Sequence, residues 1–582
     1  MRIELRAAGW RTVGSAAARG FAFDDGGVVS AAGIAERFGE AASGGSLGSV
    51  AQLAAGLEGF FAVVVHAGET TFVISDRARS VPMYYATDGT VVSDRGAVVR
   101  DGIGAETDPI AESEFLLTRY VAGPETVWAG VASIQPGEVV AVDDDGVRRH
   151  RYWGYWPAGH GEAPTEPLEE LREGFETALD RLQRIADGRP VVVPLSGGHD
   201  SRLVAAGLVV RGHDVITFTF GRSGHPDVEV SREVAARLGV RWEFCPYSAA
   251  DWAEWYHGDA CSRYRRASFG GDALPFLAEW PAVRGLISEG RLPTDALFCP
   301  GHTVATPSER LPAFVGGETG PGTAGCEPER VGHEPIEPTV SALVDDVLDR
   351  HYSLWEWDDD AFASAAKARV REGLLGDRPA DAVSDPETAA AAYERWEWNG
   401  RMTTFTNGDL RVYEDVGVEW WLPLWDPAYV RAWERVPLDG RRKKRLHAEL
   451  AVDYYRRAAD VPAGRAALTD RSLSAVDRQL ALVRHTPERQ FSERGGDWSP
   501  PFSAPRPQWG TPGTHPLGWY GAVDPRVLET VPEERGLYAL RTLEATGRLD
   551  FGDQPEGGEC DEPLSLPTDR GGGAPGRGDR ES

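Results

Sequence analysis

Alternating apolar and polar positions run through the first 150 residues of the chain. The alternation predicts two strands in 60–76 that meet at Gly68, and a hairpin in 83–94 that turns at Asp88–Gly89, a dipeptide typical of such turns. A third pair of strands is predicted in 137–153. Together these hairpins indicate a β-rich first domain.

The pattern changes after 159–167, a segment with the composition of a linker. Apolar residues then recur at helical spacing over 167–186, and the continuous apolar run 191–195 is typical of a strand covered on both faces. Downstream, predicted strands alternate with helices: strands at 214–221 and 240–245, and helices that end at Gly212 and span 226–239. This alternation predicts an α/β fold with a doubly wound parallel sheet.

These changes of pattern divide the chain into four expected segments. We expect a β-rich domain over 1–155, a doubly wound α/β domain over 165–460, a C-terminal extension over 461–551 and a disordered tail over 552–582. Within the second domain, 303–340 is rich in Gly, Pro and Glu and lacks periodicity, which predicts a loop.

The charge balance narrows the possible partners. The chain carries 90 acidic and 61 basic residues, a net charge of −29, and would repel a nucleic acid or an anionic membrane. No apolar run is long enough to span a membrane, and the N-terminus lacks the apolar segment of a secretion signal. The five cysteines are scattered without a C-x-x-C pair, which predicts neither a zinc site nor a disulfide framework. We therefore expect a cytoplasmic protein with small-molecule substrates.

Lysine is rare in this chain. Only Lys367, Lys443 and Lys444 occur among the 61 basic residues. An acid-rich, lysine-poor composition resembles that of proteins from salt-loving archaea, because strong salt screening makes a high net charge tolerable. High-GC codon usage produces the same arginine bias, so both explanations stay open.

The stretch VVVPLSGGHDSRLVAAGL places a buried strand, a glycine turn and a helix in immediate succession. Gly197 and Gly198 permit tight curvature and close approach of a ligand. The amides at the helix start favour an anion, Ser196 and Ser201 add hydroxyl donors, and Asp200 can hold Mg²⁺ against phosphate oxygens. The pattern predicts a phosphate-binding loop. The alternative is a glycine turn with a Ser/Asp helix cap, which is common in α/β proteins.

The loop matches neither G-x-x-x-x-G-K-[ST] of kinases and GTPases nor G-x-G-x-x-G of dinucleotide-binding proteins. It resembles the S-G-G-x-D-S loop of ATP pyrophosphatases, which cleave ATP between the α and β phosphates and hold the departing pyrophosphate. The resemblance implies ATP and Mg²⁺ as cofactors.

Taken with the N-terminal half, the resemblance narrows to asparagine synthetases. The segment 57–89, with Asp76, Arg77 and Tyr84 at the family's spacing, resembles the core of its glutaminase domain, and 123–153 resembles the segment that leads out of that domain. This resemblance implies an N-terminal class II glutamine amidotransferase-like domain of α+β sandwich fold. A synthetase domain of the ATP-pyrophosphatase type would follow it.

Further site residues are implied by this resemblance. Leu195 and Phe220 take the positions that face adenine in the family. Glu419 begins EWWLPLWD, which is similar to the E-x-R-x-P-F-L-D element. RRKKRLHAEL resembles the K-x-x-L-R element and places Lys443 at the lysine that steadies the phosphates. Lys444 is the alternative to Lys443 as the lysine that contacts the phosphates. A second interpretation is that these residues form an ordinary basic surface patch.

The sequence departs from the family at several functional positions. The family's glutaminase uses an N-terminal cysteine as nucleophile. Position 2 here is Arg2 and the first cysteine is Cys245, so we expect glutamine hydrolysis to be lost. Trp421 stands where the second element has arginine. Gly301 keeps the turn after a later strand, but His302 replaces a glutamate there and either contacts substrate as a base or phosphate ligand, or is incidental.

The family implies a ligase that activates a carboxylate with ATP and joins the acyl-adenylate to ammonia or an amine. Ammonia would come from solution or from a separate protein, or the substrate would carry its own amine, because relatives of this architecture also close β-lactam rings or amidate sugars. A catalytically inactive nucleotide-binding protein of the same fold is the alternative. A tRNA-modifying pyrophosphatase fits poorly with the negative charge. A homodimer is one possible assembly.

Overall fold

The computed structural model describes residues 1–25, 27–158, 164–316, 334–459, 502–505, 522 and 534–549. The predicted extension, 461–551, falls mostly outside these ranges. The predicted disordered tail, 552–582, lies outside the described residues entirely.

The strands of the described residues are, in chain order, β1 Arg2–Glu4, β2 Arg11–Val13, β3 Ala16–Asp24, β4 Gly27–Ser30, β5 Glu58–Ala67, β6 Thr70–Ser75, β7 Tyr84–Ala86, β8 Val91–Ser93, β9 Val131–Ser133, β10 Glu138–Asp143, β11 Gly146–Arg151, β12 Val191–Pro194, β13 Val215–Gly221, β14 Arg241–Pro246, β15 Leu297–Phe298, β16 Trp355–Trp357, β17 Glu419–Trp420 and β18 Phe502–Pro505.

The α-helices of the same residues are α1 Ala31–Ala42, α2 Leu47–Gly56, α3 Gly96–Ile103, α4 Pro109–Thr118, α5 Pro167–Ala186, α6 His199–Val210, α7 Pro226–Leu238, α8 Ala249–His257, α9 Asp259–Ser268, α10 Trp280–Ser288, α11 Val340–His351, α12 Asp360–Leu375, α13 Pro386–Glu397, α14 Leu410–Asp415, α15 Pro427–Glu434, α16 Leu438–Arg441, α17 Arg445–Ala459 and α18 Glu534–Ala545. None of these helices is both long and apolar enough to cross a membrane.

The N-terminal region is a sandwich of two sheets, ordered β1-β8-β7-β9 and β11-β10-β6-β5-β3-β2, with β4 paired to β3. The alternation along β5 explains its two covered faces, because successive side chains of a strand point to opposite sides. Phe61 and Val63 pack with α1 and α2, whereas Ala62 and Val64 pack against the four-stranded sheet. The hairpins predicted from the sequence are confirmed, and Gly68 has the positive φ that the first of these turns requires.

The second region contains five parallel strands in the order β14-β13-β12-β15-β17. The three central strands, β13, β12 and β15, are largely buried, as the continuous apolar run at 191–195 predicts for β12, and helices separate the strands along the chain. The predicted fold class is confirmed: a mixed α/β protein with a β-sheet sandwich first and a parallel sheet second.

The two regions share a buried interface rather than a short tether. Arg79, which is 2% exposed, forms an ion pair with Asp272 and donates to the carbonyl of Ile134 at 2.9 Å. Asn407 donates back to the carbonyl of Arg79 at 2.6 Å. One hydrophobic core also runs through both regions. Because a buried guanidinium needs its partners, this contact fixes the sandwich against the parallel sheet.

Candidate active site

The strand order reverses at β12, since β13 lies on one side of it and β15 on the other. Open parallel sheets bind ligands outside the carboxyl ends of their strands at such a reversal. The loop that follows β12 is Ser196–Ser201, and Gly301 and His302 lie just beyond β15. The topology therefore brings the two predicted loop segments to one crevice.

The Ser196–Ser201 loop is held by its own hydroxyl groups and by α7. The amide of Ser196 donates to Ser201 Oγ at 3.0 Å, and the two hydroxyl oxygens are 3.1 Å apart. The amide of Gly197 donates to the carboxylate of Asp227 at 2.6 Å, so a carboxylate already lies on one loop amide. Gly198, the N-cap residue of α6, makes no side-chain cap bond. The first-turn amides of α6 therefore suit an anionic ligand.

Gly301 lies against this loop. A Cβ at position 301 would meet the amide nitrogen of Ser201 at 2.6 Å and its Cα at 2.8 Å. Both are backbone atoms, which cannot rotate away as a side chain can. Glycine is required here by close approach of two chain segments.

Gly301→Ala should displace the Ser196–Ser201 loop. We expect a loss of about 1–3 kcal/mol in the free energy of unfolding and about tenfold weaker ATP binding, measured by thermal unfolding and calorimetry. Gly285→Ala in α10 is the control, because a Cβ there meets nothing within 4 Å. ATP binding by Gly301→Ala as tight as that of the Gly285→Ala control would contradict this role for Gly301.

Asp200 is surrounded by cationic and aromatic side chains from the C-terminal helices. Lys444 Nζ lies 3.0 and 3.2 Å from the two carboxylate oxygens, and 3.3 Å from Glu309. His447, fully buried on α17, places Nε2 2.8 Å from Asp200 Oδ1. Its Nδ1 lies 2.7 Å from the hydroxyl oxygen of Tyr429. Residues more than 220 positions apart thus meet at the loop.

The charges of this group stabilise one another. Burial by itself would raise the pKa of Asp200, but the Lys444 ammonium and the His447 imidazole outweigh it and hold the pKa below its ordinary value. Burial by itself would lower the pKa of Lys444, but the carboxylates of Asp200 and Glu309 hold it above its ordinary value. Burial lowers the pKa of His447. At neutral pH the group therefore presents an ion pair and a neutral imidazole.

The structure does not bring every predicted site residue to this crevice. Lys443 is exposed and has a φ of 53°, and it is Lys444 whose ammonium reaches Asp200. Glu419 pairs in register with Leu297 at the start of β15, and its carboxylate meets Arg189 at 2.6 Å. Arg189 precedes β12, so Glu419 lies at the amino edge of the sheet, opposite the loop.

Leu195 and Phe220 lie at the carboxyl ends of β12 and β13. Leu195 is buried, and its amide donates to the carbonyl of Phe218 at 2.8 Å. The half-buried ring of Phe220 stacks on Tyr247 with centroids 5.5 Å apart. The predicted pair therefore borders the loop on the β13 side.

A buried acidic cluster lies behind His302. His302 Nε2 is 3.2 Å from Asp409 Oδ2, and Tyr413 donates to Glu279 Oε1 at 2.6 Å. Burial raises the pKa of Asp409, and burial together with the charge of Asp409 raises the pKa of Glu279. Burial lowers the pKa of His302 to about 4, so its imidazole is neutral at neutral pH. Sequence reasoning identified His302 but missed both carboxyl groups.

The raised pKa of Asp409 predicts a pH-dependent stability. The folded state keeps a proton on this carboxyl at pH values above the ordinary pKa of about 4. The free energy of unfolding therefore falls as pH rises from that value towards neutrality. Relative to Asp409→Asn, the wild type should lose free energy of unfolding between about pH 4 and about pH 7, measured by urea titration. Asp381→Asn, at an exposed position, is the control. A wild-type-minus-mutant difference that is constant with pH would contradict the shift.

Among the described residues no group of three or more His, Cys, Asp or Glu side chains could hold a metal ion. The loop offers Asp200 as a single carboxylate. Mg²⁺ often binds one or two carboxylates together with substrate phosphates, and at Asp200 it would share the carboxylate with the Lys444 ammonium, which lies within 3.2 Å of both oxygens.

Two family profiles match this chain. The glutamine amidotransferase domain matches residues 46–153, and asparagine synthase matches residues 170–277, which contain the Ser196–Ser201 loop. Both profiles fall inside the regions that form the sandwich and the parallel sheet.

Individual relatives agree with the profiles. An asparagine synthetase (glutamine-hydrolyzing) of Arabidopsis thaliana is 33% identical over 132 residues, 20% of this chain and 22% of that protein. Asparagine synthetase (glutamine-hydrolyzing) 1 of Bacillus subtilis is 27% identical over 165 residues, 27% of this chain and 26% of that protein. The carboxyethyl-arginine beta-lactam-synthase of Streptomyces clavuligerus is 29% identical over 189 residues, 32% of this chain and 35% of that protein.

The matched part therefore covers about a fifth to a third of the length of these relatives. A solved glutamine phosphoribosylpyrophosphate amidotransferase from B. subtilis covers 54% of this chain and 66% of its own at 12% identity, but its TM-score of 0.17 carries no argument. The chain thus has a segment that matches the glutamine amidotransferase domain followed by one that matches asparagine synthase, and over these segments it is similar to asparagine synthetases.

Proposed function

We propose that the protein is an ATP-dependent amide-forming ligase that activates a carboxylate as an acyl-adenylate. The observation that carries the proposal is the Ser196–Ser201 loop. It lies at the strand-order reversal, inside the matched asparagine synthase segment, with Lys444 beside it. ATP would bind with its phosphates on the loop and on the first turn of α6, and with adenine between Leu195 and Phe220.

The reaction would proceed in two displacements. A carboxylate oxygen of the substrate attacks the α-phosphorus of ATP, the bond to the β-phosphate oxygen breaks, and pyrophosphate leaves. Lys444 and the first-turn amides of α6 stabilise the charge that moves onto the phosphates, an effect of position and electrostatics. Mg²⁺, when bound with Asp200, would neutralise part of the same charge.

The second displacement forms the amide. An amine nitrogen attacks the acyl carbon, and AMP leaves with one oxygen of the original carboxylate. The nitrogen must lose a proton, and the neutral imidazole of His302, next to Gly301, is the acceptor we assign. Asp409 Oδ2, 3.2 Å from His302 Nε2, would hold the imidazole ring in place.

We propose that the protein does not hydrolyse glutamine. The first cysteine is Cys245, so the matched amidotransferase segment, 46–153, contains none. Ammonia would then come from solution or from a separate protein. The similarity to a beta-lactam-synthase supports a second candidate, in which the substrate carries its own amine and closes a ring.

The test is release of AMP and pyrophosphate from ATP and Mg²⁺ across a panel of amino-acid and N-substituted amino-acid carboxylates, at low and at high KCl. Each is assayed with ammonia and without it. Carboxylate-dependent AMP release should disappear in Asp200→Ala and persist in Asp381→Ala, an exposed control. AMP release without ammonia would favour the ring-closing candidate. ATP binding without AMP release from any acid would favour the inactive nucleotide-binding alternative.

A further inference from the structure

A cavity of about 440 Å³ lies where the sandwich meets the edge strand of the parallel sheet. Its walls come from β3, the start of α1, the end of α9, α14 and β17. The volume lies within the range of small-molecule sites, about 300–1,000 Å³. The β17 wall begins at Glu419 on the amino edge of the sheet, so this cavity is separate from the phosphate loop.

Arginine side chains dominate one wall of this arginine cavity, as we call it. Arg19 and Arg411 share one carboxylate: Arg19 Nη2 lies 2.6 Å and Arg411 Nη1 3.0 Å from oxygens of Glu414. Arg95 also lines the cavity and donates to the carbonyl of Ala267 at 2.7 Å. Burial and then the charges of Arg19 and Arg95 lower the pKa of Arg411 to about 10, despite Glu414. Positive charge is therefore in excess around Glu414.

The other acidic groups on the cavity wall are already engaged. Asp415 accepts from the indole of Trp280 at 2.8 Å, and Glu419 is paired with Arg189. Four arginines, with Arg11 the fourth, and three carboxylates line the cavity, so positive charge is in slight excess there although the chain carries a net charge of −29. Desolvated cations are costly unless an anion compensates them.

Three hydrogen-bond donors of the cavity lining have no acceptor. Arg19 Nη1, Arg411 Nε and Trp421 Nε1 are all buried and, among the described residues, find no hydrogen-bond partner. Each unsatisfied buried donor costs about 1–3 kcal/mol, and natural proteins contain few of them. A ligand with acceptor oxygens that reaches these three lining residues would supply the acceptor that the described residues do not.

The remaining wall is aromatic. Phe60 packs edge-on against Trp421 with ring centroids 4.6 Å apart, and Phe21, Tyr264 and Trp420 also line the space. Such a surface favours an apolar or aromatic body over a fully hydrated ion. The guanidinium fork matches the planar geometry of a carboxylate in two parallel hydrogen bonds.

We propose that the arginine cavity binds a small organic carboxylate with an apolar or aromatic body, at a site distinct from the one that binds ATP. Its carboxylate lies between Arg19, Arg95 and Arg411, and its body lies against Phe60 and Trp421. The site needs no adenylation chemistry, so it stands independently of the proposed reaction.

Calorimetric titration of the full chain with benzoate, phenylacetate and indole-3-acetate tests this site, with the corresponding neutral amides as matched probes. We expect at least one acid to bind at one site per chain with a Kd below about 1 mM. Its amide should bind at least about tenfold more weakly, because a charge-assisted hydrogen bond is lost.

Arg95→Gln should weaken binding of that acid about tenfold or more. Arg100→Gln is the control, because Arg100 lies on the neighbouring helix α3 with a half-exposed side chain and pairs with Asp101. Trp421→Phe keeps every charge and most of the ring while removing one donor, and should weaken binding about fivefold. Phenyl phosphate should bind no better than the acid.

Three results would overturn the proposal. The first is that no acid saturates a site by about 10 mM. The second is that the amides bind as tightly as the acids. The third is that Arg95→Gln and Arg100→Gln have equal effects on affinity. Thermal unfolding of each variant confirms that it is folded before titration. If Arg95→Gln is not folded, Trp421→Phe supplies the test instead.

Discussion

Lys444→Met should lower the rate of AMP formation about 10²- to 10³-fold, the usual effect of removing one group that stabilises transition-state charge. Lys443→Met should change the same rate by no more than about twofold. The two lysines are adjacent and chemically identical, but only the Lys444 ammonium lies within 3.2 Å of Asp200. Methionine keeps the length of the side chain and removes its charge.

Single-turnover measurement of AMP formation separates this effect from product release. Loss of activity in Lys443→Met with normal activity in Lys444→Met would contradict our assignment and restore the one suggested by the K-x-x-L-R spacing. Lys444→Arg distinguishes charge from shape, since a planar guanidinium replaces a compact ammonium poorly at a phosphate.

Arg441→Met should have the largest effect on stability, about 3–5 kcal/mol, as expected when one partner of a buried ion pair is removed. Arg441 and Glu394 are both fully buried and 2.7 Å apart, and Arg441 also donates to the carbonyl of Val436 at 2.9 Å. Without the guanidinium, the buried carboxylate of Glu394 loses its cationic partner and keeps the hydroxyl of Ser308 as a hydrogen-bond donor.

Denaturant unfolding of Arg441→Met measures this loss. Arg445→Met is a matched control four residues later, half-exposed and paired with the exposed Asp439, and should change the free energy of unfolding by no more than about 0.5 kcal/mol. Equal effects from the two substitutions would contradict a buried network. Because Arg441 ends α16 just before the turn that contains Lys443 and Lys444, its loss should also reduce AMP formation.

The fold could be predicted largely from local pattern. The helix expected over 167–186 coincides with α5, and the strands expected at 214–221 and 240–245 correspond to β13 and β14. These elements carry strong periodicity and clear glycine boundaries. β1, β2 and β4 have only three or four residues and are mostly exposed, and β3 is rich in alanine, so neither alternation nor an apolar run identifies them.

The part of the site formed by consecutive residues could be predicted from the sequence. The part that depends on the backbone conformation could not. The Ser196–Ser201 loop follows from one stretch of residues. Lys443 and Lys444 both adopt positive φ angles, 53° and 55°, and this left-handed turn decides which ammonium faces Asp200. Spacing alone does not report such a turn.

Other residues of the site had only a weak signal in the sequence, or none. His447 follows Leu446 where the K-x-x-L-R element has arginine, and that departure marks it for attention. Asp409 and Glu279 lie far from each other and from His302 in sequence, and only the packing of their helices brings them together. Glu419 matches its element in sequence, but the direction of β17 places it at the far edge of the sheet.

The most direct test of adenylation is isotope transfer from the substrate carboxylate. With the acid that supports AMP release, labelled with ¹⁸O in both carboxylate oxygens, mass spectrometry should find one ¹⁸O in the AMP phosphate and one in the amide product. This result follows because AMP leaves with a carboxylate oxygen. Unlabelled AMP, or ¹⁸O in inorganic phosphate with ADP as the nucleotide product, would contradict the acyl-adenylate.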